Sequence, residues 1–427
     1  MRLGGRLAAA IEVLDDIERR HRPAGDALKD WGLSHRFAGS GDRAAIGNIV
    51  YDALRRKRSA TWLLDSDSSR ALAIGALLLE GGTDGAAMNQ ALDGDRFAPA
   101  PLTDEELELA ARMLESAPAE VRTDCPDWCI PLVAEAFGDD WVTEMAALST
   151  RPPLDLRVNS LNATRSKVLA ELDGTGAAPC DIARNGIRIP PIVGGGRHPN
   201  VQAEPAFQKG WFEVQDEGSQ LAAELAGATS SMQVLDYCAG AGGKTLALAA
   251  AMDNGGQIFA HDSEKQRLAP IFDRLRRSDV RNAQTVTSDK GLEPLKGRMD
   301  LVLVDAPCTG SGTWRRRPDA KWRLTDRQLD VRRREQAAIL RTAKDFVRPG
   351  GLLVYVTCSV FPQENQHQVQ SFVADHREFS VNDPASQWAA RIGTHDHRAR
   401  FVDVGTVLTP ARSGTDGFFI SALTRAA

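Results

Sequence analysis

The sequence predicts an α/β protein whose C-terminal half is a doubly wound parallel sheet, preceded by an all-helical domain and a small α+β lead-in. Three observations predict it. From Trp211 onward, short runs rich in Val, Ile and Leu alternate with helical stretches, the order expected of strand–helix–strand units. Each of these runs ends in an acid or a thiol. The first leads into a helix through the glycine-rich turn "CAGAGGKT" (238–245), which lets backbone approach a ligand closely.

Residues 1–135 read as helices, with apolar residues at three- and four-residue steps in "RLAAAIEVLDDIERR" and "RAAIGNIVYDALRRKRSATWLL". A small α+β lead-in is expected over 136–210, where "RPPLDLRVNS" (151–160) switches to the alternation of strands. The domain at 211–427 should hold strands in "MQVLDYC" (232–238), "GQIFAHD" (256–262), "AQTVTSD" (283–289), "MDLVLVDAP" (299–307) and "GGLLVYVTCS" (350–359). "FVDVGTVLTP" and "DGFFISALTR" read as an appended antiparallel pair. In such sheets ligands bind outside the carboxyl ends of the strands, where the polar punctuation falls.

A chain of 427 residues is too long for one ordinary core, in keeping with this division. With 42% hydrophobic and 26% charged residues, it has no apolar run near the roughly 20 residues that span a bilayer, nor a charged-then-apolar leader. A cytoplasmic location is therefore expected. Its six cysteines have no framework spacing, which favours separate roles over disulfides, and Cys125 and Cys129 form a lone C-x-x-x-C without the further ligands of a metal site. No metal is expected. The net charge of −5 argues against nucleic acid as a partner unless the charge is unevenly distributed.

On the cofactor side, Gly240, Gly242 and Gly243 lie too close together for a triphosphate loop, although the stretch ends in "GGKT". Asp262, 26 residues past Asp236 at the next strand end, is placed to accept both hydroxyls of a ribose, or to cap the helix after it. Asp289, at the third strand end, is placed to face an adenine edge. Hydride cofactors and S-adenosylmethionine both suit this pattern.

Cys308 and Cys358 follow neighbouring strands, so both thiols should face one crevice near the glycine turn, with Asp305 beside them. Each could be a small apolar filler, the usual fate of a free cysteine, but two at strand ends point to chemistry. A thiolate, a carboxyl group and a methyl donor together suit a pyrimidine. C5 of cytosine is a poor nucleophile until a thiolate adds at C6 and makes an enamine. Asp305 would hydrogen-bond N3 or the amino group, provided burial raises its pKa, and a base must later remove the C5 proton.

Over residues 140 to 427, and in this order, "DYCAGAGGKT", "DAPCTGSGTWRRRPDAKW", "TCSVFPQEN" and "TDGFF" resemble the motifs of the Nop/Sun family of RNA cytosine-5 methyltransferases. The resemblance implies a class I S-adenosylmethionine-dependent, Rossmann-like methyltransferase fold. It also implies that Cys358 is the nucleophile and that Cys308 assists product release. Cofactor contacts are implied at Cys238, Ala239, Gly240, Ala241, Gly242, Gly243, Lys244, Asp262, Arg267, Asp289 and Asp305. "RVN" (157–159) and "VQDEGSQLAAEL" (214–225) become elements of the enzyme core and its lead-in. Ala241 departs from the family, which usually has proline there. DNA cytosine methyltransferases attack from a Pro-Cys after the fourth strand and carry Glu-Asn after the fifth, so "PC" at 307–308 and "EN" at 364–365 keep a DNA enzyme open, and Cys358 favours RNA. A transfer-RNA enzyme and a non-catalytic RNA-binding assembly factor also stay open.

Between Thr313 and Arg348 there are twelve Lys or Arg against five acids. A solvated helix face accounts for much of such a run, yet "WRRRPDAKWR" adds two tryptophans to the cations, the mixture that holds phosphates and unstacked bases. Arg315, Arg316, Arg317, Lys321 and Trp322 are thus the expected RNA contacts, and the target cytosine should be flipped or single-stranded. The small residues after Cys308 should make room for the nucleotide. More faintly, "DRAAIGNIVYDALRRKRSATWLL" resembles the NusB-like helical domain that precedes the catalytic part of RsmB-type 16S ribosomal RNA methyltransferases, which implies ribosomal RNA as substrate and RNA binding through Arg55, Arg56, Lys57 and Arg58, against the plainer reading of a stabilising bundle.

Overall fold

The computed structural model describes residues 1–393 and 398–427, apart from the side chain of Asp289. The chain forms two compact units. The first comprises Met1–Pro152, Pro191–His198 and Trp314–Leu324; the second comprises Pro153–Pro190, Pro199–Thr313 and Thr325–Ala427.

The first unit is helical, as its periodicity predicts. In the helix Leu3–Arg20, Leu7, Ala10, Val13, Leu14 and Ile17 fall on one stripe. That stripe packs in one core with Ile46, Ile49, Val50 and Ala53 of the helix Ser40–Arg55. Helices continue to Trp141–Ala147, so the unit extends to Pro152 rather than ending near residue 135. Among the described residues no helix is long and apolar enough to cross a membrane.

The second unit contains two sheets. Strands β1 (Leu154–Val158), β2 (Ala178–Pro179), β3 (Gly186–Ile189) and β4 (Phe212–Val214) form an antiparallel sheet in the order β2-β3-β1-β4. The lead-in sheet therefore runs past residue 210 to include β4. Its motif residues are structural. Arg157 Nε donates to Gln215 Oε1 at 2.6 Å, and Asn159 Nδ2 donates to the carbonyls of Gly210 and Ser278, both at 2.9 Å.

The large sheet consists of β5 (Gln233–Asp236), β6 (Gln257–His261), β7 (Ala283–Val286), β8 (Met299–Asp305), β9 (Val347–Thr357), β10 (Phe379–Val381), β11 (Arg400–Val402), β12 (Gly405–Leu408) and β13 (Phe418–Arg425). Its order is β11-β12-β13-β9-β8-β5-β6-β7, with β10 paired to β13. Strands β5 to β9 are mutually parallel, whereas β13 lies antiparallel to β9. Because both faces of the parallel strands are covered, they read as near-continuous apolar runs, with Val234, Leu301, Leu303, Val354 and Val356 in one core. The chain reverses direction across the sheet between β5 and β8, which places a ligand crevice at their carboxyl ends.

Candidate active site

The crevice is built on the turn after β5. Gly240 and Gly242 both adopt left-handed backbone, with φ of +51° and +82°. A Cβ on Gly242 would lie 2.4 Å from Ile271 Cγ1, so close packing as well as backbone angle requires glycine there. Gly242 then opens the helix Gly243–Ala251. The carbonyl of Ala241 accepts from Arg274 Nη1 at 2.8 Å.

Asp262 holds this turn in place. Its Oδ2 accepts from the Gly240 N–H at 2.9 Å, and its Oδ1 accepts from the Glu264 N–H at 2.9 Å. It thus makes a tight turn before the helix Lys265–Leu268, whose N-terminal cap is Glu264. Each carboxylate oxygen has two lone pairs, so both retain capacity for a hydroxyl. Arg267 Nη1 stands 3.8 Å from Asp262 Oδ2. The Cys238 thiol is pushed up by burial, with Asp236 and Asp305 adding to the effect, which leaves it an unreactive member of the turn. Asp289 begins the short helix Asp289–Leu292, and its side chain, expected to face adenine, lies outside the described residues.

Two acids end the strands on either side of the reversal. Asp236 is fully buried, and its Oδ2 accepts from Thr245 Oγ1 at 2.7 Å. Its Oδ1 has no hydrogen-bond partner among the described residues. Burial pushes this carboxyl up to about 7, with Asp305 and Asp262 reinforcing the shift against the Thr245 hydroxyl and Lys244. Asp305 remains partly open to solvent and accepts from Lys244 Nζ at 2.7 Å. One of its carboxylate oxygens is therefore already engaged, and the lysine expected at the cofactor joins the cofactor turn to the cysteine loop.

The two thiols meet. Asp305 pairs with Val356 in the β8–β9 register, so the loops that follow leave the same edge side by side. Cys308 Sγ lies 3.4 Å from Cys358 Sγ, and both residues are partly buried. The hydrogen bond to Cys358, with burial second, pushes the Cys308 thiol up, so Cys308 holds its proton, and either sulfur can donate across the contact.

Two expectations are corrected. Gly312 does not make room for a nucleotide: a Cβ there would lie 2.1 Å from the Gly417 carbonyl oxygen, and the two glycines pack backbone to backbone, with Gly417 N donating to Gly312 O at 2.8 Å. The Gly312 N–H donates to Cys358 O at 2.9 Å, so "TGSG" and "TDGFF" brace the thiol loops. Second, much of "WRRRPDAKW" turns into the helical unit. Lys321 is only 1% exposed and donates to the Arg55 carbonyl and Ser149 Oγ, each at 3.3 Å. Trp322 Nε1 donates to Leu54 O at 2.6 Å, and the carbonyl of buried Arg315 accepts from Arg55 Nε at 2.7 Å. A lysine sealed from water cannot meet a phosphate in this conformation; Arg317 is exposed and Arg316 partly so. The basic cluster of the helical domain forms ion pairs within the protein, with Arg56, Lys57 and Arg58 partly exposed. Arg55 pairs with Asp52, Arg56 with Glu80, Lys57 with Glu18 and Arg58 with Asp127.

A left-handed glycine turn, acids at successive strand ends and a sheet that reverses between β5 and β8 are shared by several nucleotide-binding folds; with the antiparallel strand β13 set beside β9 they form the arrangement of a class I methyltransferase, for which S-adenosylmethionine is the cofactor. Residues 224–424 match the family described as 16S rRNA methyltransferase RsmB/F, and residues 125–192 match the RsmF/B-like ferredoxin-like domain. The chain is 32% identical over 309 residues to the probable ribosomal RNA small subunit methyltransferase B of Synechocystis sp., covering 70% of this chain and 67% of that protein. It is 33% identical over 263 residues to ribosomal RNA small subunit methyltransferase B of Yersinia pseudotuberculosis, covering 60% of this chain and 59% of the relative. NSun6 from Pyrococcus horikoshii, solved with SFG, shares the fold with a TM-score of 0.60 at 21% identity, over 71% of this chain and 98% of that one. The chain belongs to the RsmB/F family of ribosomal RNA methyltransferases.

The residues present fit the cofactor: the missing Cβ of Gly240 leaves its backbone facing Asp262 Oδ2 and Arg267 Nη2, 4.0 Å and 3.7 Å from where that atom would stand, and Asp262 offers unused acceptor capacity at the next strand end. Glu364 is a residue of the site that sequence reasoning misses. "PQEN" is a family motif and a parallel to DNA enzymes, but no period or spacing signals that its carboxylate is fully buried between the cysteine loops.

Proposed function

We propose that the protein methylates C5 of a cytosine in small-subunit ribosomal RNA through a covalent bond between Cys358 and C6. The observation that carries this reading is the pair of thiols 3.4 Å apart at the strand edge, beside Asp305. The Cys358 sulfur adds to C6, and the electron pair displaced from the C5–C6 double bond makes C5 nucleophilic. Asp305 hydrogen-bonds the base through the carboxylate oxygen that Lys244 leaves free. Bound S-adenosylmethionine supplies an electrophilic methyl group, with the glycine turn, Asp262 and Arg267 as its holding residues. Loss of the C5 proton to a base then drives the C6–S pair back onto sulfur, and Cys308, a protonated thiol at contact distance, protonates the departing sulfur. Exposed Arg317 and partly exposed Arg316 contact the RNA backbone.

Incubation with small-subunit RNA and S-adenosylmethionine tests the two thiols. Cys308→Ala should accumulate an RNA–protein adduct that survives denaturing electrophoresis, while Cys358→Ala should lose both adduct and methyl transfer. The reverse pattern would refute the assignment of roles. Bisulfite sequencing of RNA from cells with and without the protein locates the target; loss of a site in transfer RNA alone would overturn the ribosomal reading.

A further inference from the structure

Between the two thiol loops lies the fully buried carboxylate of Glu364, which takes no part in the chemistry above. It accepts four hydrogen bonds. Oε1 accepts from the Thr309 N–H at 2.9 Å and from Gln336 Nε2 at 2.9 Å; Oε2 accepts from the hydroxyls of Thr309 and Ser359. Thr309 directly follows Cys308, and Ser359 directly follows Cys358. Gln336, on the helix Asp326–Ala343, also donates to the Pro307 carbonyl at 3.0 Å, holding the same loop one residue before the thiol. The backbone of Glu364 is fixed as well, since its carbonyl accepts from Tyr355 Oη at 2.6 Å on β9. Ser311 Oγ lies 3.0 Å from Ser359 Oγ and accepts from the Val360 N–H at 2.9 Å, which extends the network along both loops.

A carboxylate buried without partners would be costly, whereas one saturated by four donors locks the groups that supply them. Three of the four donors come from Thr309 and Ser359, the residues adjoining the two thiols, so the carboxylate ties the two loops together at the thiols themselves, beside the Gly312 N–H bond to the Cys358 carbonyl. We propose that Glu364 is the positioning residue that holds Cys308 and Cys358 at contact distance, acting through hydrogen-bond geometry rather than charge transfer. The proposal rests on the thiol roles given above. Glutamine can satisfy the same four contacts: its carbonyl would accept from Thr309 N–H and Gln336, while its amide would donate to the two hydroxyls, which can rotate to accept.

The test uses the full-length chain and two readouts. Without RNA, dibromobimane bridges two thiols only when they lie within a few ångströms, and the Cys308–Cys358 cross-link is followed by mass spectrometry. With RNA, kcat and KM are measured by methyl transfer. Glu364→Ala should slow cross-linking and lower kcat on the order of 100-fold, the scale of a misplacement near 1 Å, with KM for RNA unchanged. Glu364→Gln should restore both. If Glu364→Ala fails to fold, Thr309→Val and Ser359→Ala each remove one hydroxyl donor, and each should slow cross-linking while their double variant slows it further. Wild-type cross-linking rates in Glu364→Ala, or in the Thr309→Val/Ser359→Ala pair, would overturn the proposal. So would a Glu364→Gln variant that cross-links normally yet is as inactive as Glu364→Ala, because the charge would then be acting in the chemistry. Wild-type protein that cross-links readily but methylates no RNA would instead refute the proposed function and leave the clamp standing.

Discussion

Replacing Asp236 with asparagine should remove a specific pH dependence from the stability of the catalytic unit. The carboxyl is fully buried, is raised from 3.8 to about 7, and has one oxygen unpartnered among the described residues. Between those two values the native protein keeps a proton that the unfolded chain has already lost. The unfolded state thus binds fewer protons, and stability falls as pH rises from about 4 to about 7, then levels off. Each pH unit is worth about 1.4 kcal/mol, so the whole span is about 4 kcal/mol, of which roughly 3 kcal/mol falls between pH 5 and pH 8. Asparagine does not titrate and can still accept from Thr245. Near pH 5 the two proteins should be within about 1 kcal/mol of each other, because each buries one neutral polar group with a single partner. At pH 8 Asp236→Asn should be the more stable, by roughly 3 kcal/mol on the same linkage argument. Hydrogen exchange of the β5 and β8 amides, measured against urea at a series of pH values, reports this unit separately. Parallel pH profiles for the two proteins would refute the reasoning.

Gly242→Ala forces a Cβ to within 2.4 Å of Ile271 and a side chain into φ of +82°, so it should destabilise the unit by about 1–3 kcal/mol and weaken S-adenosylmethionine binding, as read by thermal unfolding and calorimetry. Lys321 is pulled down by burial to about 8 from 10.5, so the native state releases its proton first, and wild-type stability should rise between those pH values; Lys321→Met should lose that rise in urea titrations of the helical unit. The same variant should leave the salt dependence of RNA binding unchanged, whereas Arg317→Ala should reduce the slope of log K against log salt by about one.

The parallel strands were legible because their residues serve one local purpose. "MQVLD" and "MDLVLVD" are apolar along their length since both faces are covered, and each ends where the chain emerges at the ligand edge. The glycine turn was legible for a similar reason: Gly242 is dictated by backbone angle and close packing, constraints that act over a few residues. The nearness of the two thiols also followed from strand order, as neighbouring parallel strands must end side by side.

What the sequence by itself determined was therefore the fold class, the cofactor turn and the presence of two cysteines at one sheet edge, because strand period, strand-end position and glycine backbone freedom are local properties. Tertiary structure alone decided which polar groups face water. "WRRRPDAKW" reads as a cationic surface loop, yet Lys321 and Trp322 find their partners in Ser149, Arg55 and Leu54, far away in the chain. Gly312 reads as space for a nucleotide, and its neighbour is the backbone of Gly417. Glu364 reads as part of a Glu-Asn pair, and its burial shows only once four donors are brought around it from three separate segments. The direction of a charged side chain depends on which distant donors and acceptors can offset its loss of water, and only the folded chain brings those together.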